Sequence, residues 1–440
     1  MGIISLLFSL LALVIILITI NKIKHKAINP FILFFILWSV ILLFSVLHLQ
    51  NLNPPSDYTY FLILIMLIFF LVGGLLGYKK KIKIKKEHST KYLKITATLF
   101  VILSITYIFF QIKDCVLISQ QLDAGVPLWQ IRNWTLAPAG SDNPILNNRS
   151  FLEDFLRNIV LTPFYSLLPP LSAYLLFFSK RKNLKFGVLA LFIVMLVLSS
   201  LAGGGGRLGF IYAAGSFMIA GLIKMRSSGK NISFYFHKYR KRLVVLFIAL
   251  ITILAGLTTW RAGNDSFAEQ AYAYFALPPT LLDTWMPTIA ETPPTFGLLS
   301  TFGLHSYIFR TLDVVGFSQF VPETFNTAYN SMLQAEIFRN VGNRDANAFV
   351  TPIYYFMIDG GIPFVIFASL LFGFLVAIYY RKFEAKITLK TFVMYMIILN
   401  CVFISFMRIQ TVIPALFISL IFVHFIPQLS DLEKQPRKLP

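Results

Sequence analysis

The feature that most constrains this chain is a series of apolar runs, each close to the length that crosses a lipid bilayer. A hydrocarbon core of about 30 Å needs about 20 helical residues, and such runs recur at residues 2–20, 30–49, 60–78, 93–112, 157–178, 184–201, 208–224, 242–260, 351–380, 389–407 and 411–427. Charged residues make up only 13% of the chain, against about 25% in soluble domains. The sequence therefore predicts an all-α polytopic integral membrane protein with eleven transmembrane helices.

The net charge of +20 suggests a nucleic-acid partner at first sight, but its distribution argues against one. Lysine-rich loops lie at 22–26, 79–94, 180–185, 224–242 and 381–390, and the positive-inside rule assigns them to the cytoplasm. The predicted inner side then carries twenty-nine basic and four acidic residues, net +25, and the outer side ten basic and fifteen acidic residues, net −5. The positive charge is thus an insertion signal, with the N-terminus outside and the C-terminus in the cytoplasm.

This topology divides the chain into five regions. Residues 1–112 hold helices one to four, 113–156 form a first outer loop, and 157–260 hold helices five to eight. Residues 261–350 form a large outer segment, and 351–440 hold the last three helices and a cytoplasmic tail. The large segment has apolar pieces punctuated by proline, so we expect short helices and turns that lie on the outer membrane surface as an extracytoplasmic cap. Residues 2–20 are expected to remain as a membrane helix, because basic residues follow the run and none precedes it.

Arginine dominates the outer basic residues, where Lys113 is the single lysine and nine residues are arginine. A guanidinium group binds phosphate or carboxylate at two points and never loses its proton. Three of these arginines lie at the predicted outer ends of helices, namely Arg207, Arg261 and Arg408. Three others lie in the large outer segment, namely Arg310, Arg339 and Arg344. This pattern favours a phosphate-bearing ligand at the lipid–water boundary. For each arginine alone, a side chain that snorkels to the lipid headgroups is the alternative.

A run of four glycines precedes Arg207 at the turn between two predicted helices. Backbone amides of Gly205 and Gly206 could form an anion-binding nest there, at the N-terminus of the next helix. A flexible tight turn is the alternative.

Three residues are candidates for proton transfer. Asp359 lies early in an apolar run, where a charge needs a partner, and an arginine is the expected one. Asp345 and His305 lie in the outer segment, and a histidine titrates near neutral pH. A structural ion pair for Asp359 and a core position for His305 are the alternatives. The only adjacent outer carboxylates are Glu153 and Asp154, so we expect neither a metal site nor a cofactor.

Two stretches resemble a known family. Gly203–Arg207 at a helix-pair turn, and 347–351 leading into 354–363, together with the large outer loop before the last three helices, resemble the Wzy-type oligosaccharide repeat-unit polymerases of O-antigen and capsular polysaccharide synthesis. The resemblance covers the topology of nearly the whole chain, and its motifs are concentrated in 203–213 and 345–375. The related O-antigen ligases carry His-Asn where this chain has Ala346-Asn347, which favours a polymerase.

The resemblance implies a glycosyltransferase on the outer face of a bacterial cytoplasmic membrane. Its donor and acceptor would be oligosaccharides linked to undecaprenyl pyrophosphate, with Arg207, Arg261 and Arg408 holding the pyrophosphate. A flippase and a chain-length regulator are the expected protein partners, besides membrane lipids. A ligase, or a flippase for the same lipid-linked oligosaccharide, is the alternative function. The middle parts of the first eight predicted helices hold few charges, which argues against a transport path.

Overall fold

The computed structural model describes residues 29–47, 49–82, 93–127, 130, 131, 134, 149–179, 182–203, 208–227, 252, 256, 267–347 and 349–426. These residues are mostly helical. The helices are α1 (Pro30–Val46), α2 (Asp57–Lys79), α3 (Leu93–Asp123), α4 (Phe151–Leu156), α5 (Thr162–Phe178), α6 (Lys182–Ala202), α7 (Leu208–Ser227), α8 (Phe267–Glu291), α9 (Phe302–Val314), α10 (Glu323–Gln334), α11 (Thr351–Ala385), α12 (Leu389–Ile404) and α13 (Pro414–Phe425).

Six helical stretches among the described residues are long and apolar enough to cross a membrane. Five lie in α2, α3, α6, α7 and α11, and the sixth is Leu152–Phe178, which includes α5. The apolar helices α1, α12 and α13 are shorter. The predicted runs 2–20 and 242–260 lie outside the described residues, apart from residues 252 and 256. The helices are compatible with a multi-pass membrane protein, and the count of eleven spans stays a prediction.

Two segments outside the predicted spans contain longer helices than we expected. Helix α3 continues to Asp123, past the predicted span 93–112. Lys113 and Asp114 can stay helical because Lys113 pairs with Glu153 at 2.6 Å and Asp114 with Arg157 at 2.6 Å. In the segment 261–350 we expected short helices, but α8 has 25 residues and contains three prolines. Each proline removes one helix hydrogen bond, but the buried side chains of Leu281, Leu282 and Trp285 hold the helix in place.

The chain is also not entirely α-helical. Strands β1 (Arg339–Asn340) and β2 (Asp345–Ala346) form an antiparallel hairpin in which Arg339 pairs with Ala346 and Asn340 with Asp345. Gly342 in its turn has a φ of +117°, and a Cβ there would lie 2.2 Å from the carbonyl oxygen of Asn51. Glycine is therefore required at this position.

The described residues fall into two compact units. Unit 1 takes the described residues within 1–83, 268–382 and 397–417, and unit 2 takes those within 84–267, 383–396 and 418–440. In unit 1 the helices α2 and α11 approach so closely that a Cβ on Gly73 would lie 1.9 Å from the carbonyl oxygen of Leu370. A Cβ on Gly373 would lie 1.9 Å from the carbonyl oxygen of Phe70. Small residues at such crossings let two membrane helices pack backbone to backbone.

Unit 2 contains a buried cluster of charges where α3 meets α4. The Arg157 guanidinium donates to both carboxylate oxygens of Asp114, at 2.6 and 3.1 Å, and to Glu153 at 2.7 Å. Arg149 donates to Asp114 at 3.0 Å. Bidentate pairing of this kind is a use for which arginine is better suited than lysine. Arg149 and Arg157, two of the arginines predicted to lie on the outer side, therefore bind carboxylates of the chain itself.

Candidate functional site

Arg408 lies in the connection between α12 and α13, and the backbone of this connection is fixed at several points. The backbone N–H of Thr351 donates to the carbonyl oxygen of Met407 at 3.1 Å. The Trp38 indole donates to the Ser405 hydroxyl at 3.4 Å, and the Thr411 hydroxyl donates to the carbonyl oxygen of Ser300. The position of the arginine is thus set by α1, α11 and the turn before α9.

Thr351 itself is strained. It is fully buried and has a φ of +60°, a region that a β-branched residue rarely adopts. Such strain persists only where surrounding contacts impose it, and it is concentrated at functional sites. Here the contact concerned is the bond to Met407, the residue next to Arg408.

The guanidinium of Arg408 pairs with the carboxylate of Glu336 at 2.5 Å. Glu336 follows α10, and its carbonyl oxygen accepts a hydrogen bond from the Asn347 amide at 2.9 Å. The two charged side chains are 25% and 27% exposed, so a ligand from solvent can reach both. A carboxylate and a phosphate offer a guanidinium similar oxygen pairs, so Glu336 occupies Arg408 in the way an anionic ligand would.

Glu336 is the carboxylate that the sequence did not single out. It lies in the segment 261–350, and its partner is 72 residues further along the chain. No local pattern marks such a pair. Only the fold brings the end of α10 to the turn that carries Arg408.

The hairpin that follows Glu336 carries further candidates. Arg344 donates to the side-chain oxygen of Gln50 at 3.4 Å. Asp345 is exposed and accepts a hydrogen bond from the Asn340 amide at 3.3 Å. The guanidinium of Arg339 lies 4.2 Å from the ring centre of the buried Trp285, in a cation–π contact.

Helix α9 carries Arg310 and His305. The Arg310 guanidinium stacks 4.4 Å from the ring centre of Tyr329 on α10. The His305 ring packs against Phe302, Phe309 and Phe325, with ring centres 5.7 to 5.9 Å apart. This aromatic environment fits the core position that the sequence left open for the histidine.

The protonation of His305 follows from its surroundings. Burial lowers its pKa below the usual value, against the opposing effects of its hydrogen bond to Leu298 and of the Asp359 charge. The ring is therefore neutral near pH 7, and Nε2 donates to the carbonyl oxygen of Leu298 at 3.0 Å. Nδ1 is left as the basic nitrogen, but it is buried and has no hydrogen-bond partner among the described residues.

Asp359 is fully buried. We expected an arginine as its partner, but its carboxylate is bound by other donors. Its carboxylate accepts hydrogen bonds from the Thr295 hydroxyl at 2.5 Å and from three backbone N–H groups, those of Gly297, Leu299 and Ser300, at 2.9 to 3.0 Å. These four donors occupy both oxygens. The carboxylate thus anchors the turn that leads into α9, and both of its oxygens are engaged in this structural role.

The turn also repairs a break in α11. Gly360 and Gly361 leave helical geometry, and Gly361 has a φ of +67°. The carbonyl groups of Ile358 and Asp359 then lack their helical partners, and they accept hydrogen bonds from the backbone N–H groups of Thr295 and Phe296 at 3.1 and 2.9 Å. A break in an apolar helix needs such replacement partners.

Replacing Asp359 with alanine should destabilise the protein strongly. Each buried donor left without an acceptor costs about 1–3 kcal/mol, so the loss should reach about 3 kcal/mol or more. The measurement is thermal unfolding of the purified protein in detergent. The matched control is Asp345→Asn at an exposed carboxylate, which should change stability by less than about 0.5 kcal/mol. Equal melting temperatures for the Asp359 variant and wild type would contradict the anchoring role.

The six described candidates lie in one unit and are linked by contacts. Asp359 anchors the turn before α9, and Phe302 on α9 stacks on Phe325 of α10 at 5.3 Å. Helix α10 leads to Glu336 and so to Arg408. The other predicted ligand residues, Arg207, Arg261, Gly205 and Gly206, lie outside the described residues.

Within the described ranges, no three or more His, Cys, Asp or Glu side chains lie together as a potential metal site. Comparisons with protein-family models, curated proteins and solved structures find no match to this chain.

Proposed function

We propose that this protein is a membrane glycosyltransferase that polymerises oligosaccharide repeat units linked to undecaprenyl pyrophosphate, on the outer face of a bacterial cytoplasmic membrane. The observation that supports the proposal is the environment of Arg408. Its backbone is held from several elements, its guanidinium is partly exposed, and its present partner is a carboxylate. A leaving pyrophosphate needs such fixed positive charge in the transition state.

The proposed reaction is a displacement at the anomeric carbon of the donor. An acceptor hydroxyl forms the new glycosidic bond while the bond from the anomeric carbon to the pyrophosphate oxygen breaks. The lipid pyrophosphate leaves with the electron pair and is bound by Arg408, with Arg310, Arg344, Arg207 and Arg261 as further proposed ligands. No metal ion is proposed, because guanidinium groups supply the charge. The proton of the acceptor hydroxyl passes to a carboxylate.

Glu336 is the best placed base for that proton. It contacts the side chain that would bind the leaving group, and it is partly exposed. When the pyrophosphate binds Arg408 in place of Glu336, the Glu336 carboxylate becomes free next to the reacting atoms. Asp359 has four donors of its own, and the free nitrogen of His305 is buried.

Replacing Glu336 with glutamine should lower the turnover number about 100-fold, the lower range for loss of a general base. The Michaelis constant for the donor should stay equal or fall, because Arg408 no longer has a competing carboxylate. The rates are measured on lipid-linked oligosaccharide as a function of pH. The control is Glu323→Gln in the first turn of α10, which should behave as wild type. A turnover number within about threefold of wild type in the Glu336 variant would exclude it as the base.

The proposed function is tested by reconstituting the purified protein into vesicles with a lipid-pyrophosphate-linked oligosaccharide. A ladder of products at multiples of the repeat unit supports a polymerase. Transfer to a different acceptor lipid would show a ligase, and movement of the unchanged lipid across the vesicle wall would show a flippase. A parallel reaction that contains a chelator tests whether activity needs a metal ion. Loss of the ladder and its recovery with magnesium would contradict metal independence.

A further inference from the structure

Helix α9 presents an apolar side to its surroundings, away from the protein. Leu304 and Ile308 on the helix are 61% and 62% exposed, and Val315, the residue that follows it, is 57% exposed. Their spacing of four and seven residues places them on one side of a helix with 3.6 residues per turn. The opposite side holds the buried Phe302 and Ser306. A helix that is apolar on its outward side is not explained by packing within the chain.

The turns on either side of α9 continue this pattern. Phe296 precedes the helix and is 76% exposed, and Phe317 and Phe320 follow it and are 49% and 64% exposed. Exposed apolar groups of this size mark surfaces that contact a partner or a membrane. The exposed polar residues of α9 are Arg310, Thr311 and Asp313. Thr311 shares the side of Leu304 and Ile308, and Arg310 lies at the edge of that side.

The position of the turn before α9 along α11 shows where this apolar surface lies relative to the bilayer. Near one end of α11, Tyr380 packs on Tyr78 of α2, and the next residue, Arg381, donates to carbonyl oxygens of Tyr78 and Lys80. This basic end marks one bilayer boundary. Counting back about 20 residues, the thickness of the hydrocarbon core, leads from Tyr380 to Gly361. The same count in α2 leads from Tyr78 to the start of the helix.

The turn before α9 is attached at that level. Residues 295–300 bind Asp359, and Gly297 lies against the Phe364 ring. The exposed Phe296 and the first turn of α9 therefore lie at the second bilayer boundary, next to the lipid-facing surface of α11, where Phe367 is 58% exposed. The Phe364 ring that Gly297 contacts also packs on Phe367, with ring centres 6.0 Å apart, so the turn before α9 adjoins this surface.

We propose that residues 296–320 form an interfacial membrane anchor. The side formed by Leu304, Ile308 and Val315 inserts at the boundary between lipid headgroups and acyl chains, while Arg310 lies at the level of the lipid phosphates. Helices of this kind bind membranes through an apolar side and basic residues at its edge. The occupant of the exposed surface is thus the bilayer itself. Through the turn bound to Asp359, the anchor fixes the height of the Arg408 and Glu336 pair relative to the membrane.

The test measures how close single side chains lie to lipid. In a variant in which Cys115 and Cys401 are replaced by serine, cysteine is introduced at Ile308 and labelled with a fluorophore, and the protein is reconstituted into phosphatidylglycerol and phosphatidylethanolamine vesicles. Lipids with a nitroxide near the headgroup should quench this label at least about threefold more than a label at the exposed Asn343 in the hairpin. Phe367→Cys on α11 is the positive control, and Leu304→Cys is the second test position should the first variant fold poorly.

Two outcomes would overturn the proposal. Equal quenching at positions 308 and 343 would show that the side faces water. Protection of position 308 from both the lipid quencher and a water-soluble quencher, with position 367 quenched by lipid, would show that another protein or a second copy covers the surface. The assay contains no lipid-linked sugar, so its result does not depend on the proposed polymerase activity.

Discussion

Arg408→Ala is expected to lower polymer formation in the reconstituted assay at least about 100-fold, since loss of one group that stabilises developing negative charge has an effect of about that size. Single lipid-linked units should accumulate. Arg408→Lys should restore little activity, because an ammonium group cannot bind two phosphate oxygens in the fork geometry. The measurement is the length distribution of the products, with the initial rate of donor consumption.

The effect should be confined to activity. The Arg408 and Glu336 pair is partly exposed, and pairs of this kind contribute about 0–1 kcal/mol to stability. The Arg408 variants should therefore insert and melt as wild type. The control is Lys382→Ala, which removes one positive charge near the other end of α11. Polymer of normal length in Arg408→Ala would refute the assignment of this residue to the pyrophosphate.

Gly373→Leu is expected to destabilise the protein, with a fall in apparent melting temperature of about 5 °C or more. A Cβ at this position would meet the carbonyl oxygen of Phe70 at 1.9 Å and the backbone nitrogen of Gly74 at 3.0 Å. The obstacle is backbone, which cannot rotate away as a side chain can, so the helices α2 and α11 must separate. Overpacking of a core typically costs about 1–3 kcal/mol, and more where nothing can move.

The matched control for this substitution is Gly187→Leu in α6, where a Cβ would meet nothing within 4 Å. Leucine is a better helix former than glycine by about 0.8 kcal/mol, so this variant should be as stable as wild type or slightly more stable. Both variants are compared by thermal unfolding in the same detergent. Similar melting temperatures for Gly373→Leu and wild type would show that the close approach of α2 and α11 is not needed for folding.

The apolar runs predicted the positions of the long described helices well. The runs 60–78, 184–201, 208–224 and 351–380 each correspond to a helix with similar bounds. Helix formation in such runs depends on local composition, which a sequence shows directly. Helix α3 extends beyond the predicted span 93–112. Hydropathy shows only the apolar part, whereas Lys113 and Asp114 find partners on α4 and the residue after it.

The candidate site was less predictable, because its contacts join residues that are far apart in the chain. Asp359 was recognised as a charge that needs a partner, but the donors are backbone N–H groups of a turn about sixty residues earlier, and no residue type marks such a donor. Arginine composition alone also does not distinguish arginines that are accessible to a ligand from arginines that pair within the chain. Arg149 and Arg157 are held by Asp114 and Glu153, and carboxylate and phosphate make the same demand on a guanidinium group.

The bonds to Asp359 have a consequence for how this protein can change in evolution. Its carboxylate is bound through the main chain at Gly297, Leu299 and Ser300, and every amino acid except proline supplies that donor. The side chains at 299 and 300 are therefore less constrained by this interaction than the aspartate. Gly297, with a φ of +93°, is constrained by its conformation instead. We therefore expect related chains to retain the break in α11 and its bonds to the turn while the sequence of the turn diverges. Asp359 and Gly297 are the residues expected to stay unchanged.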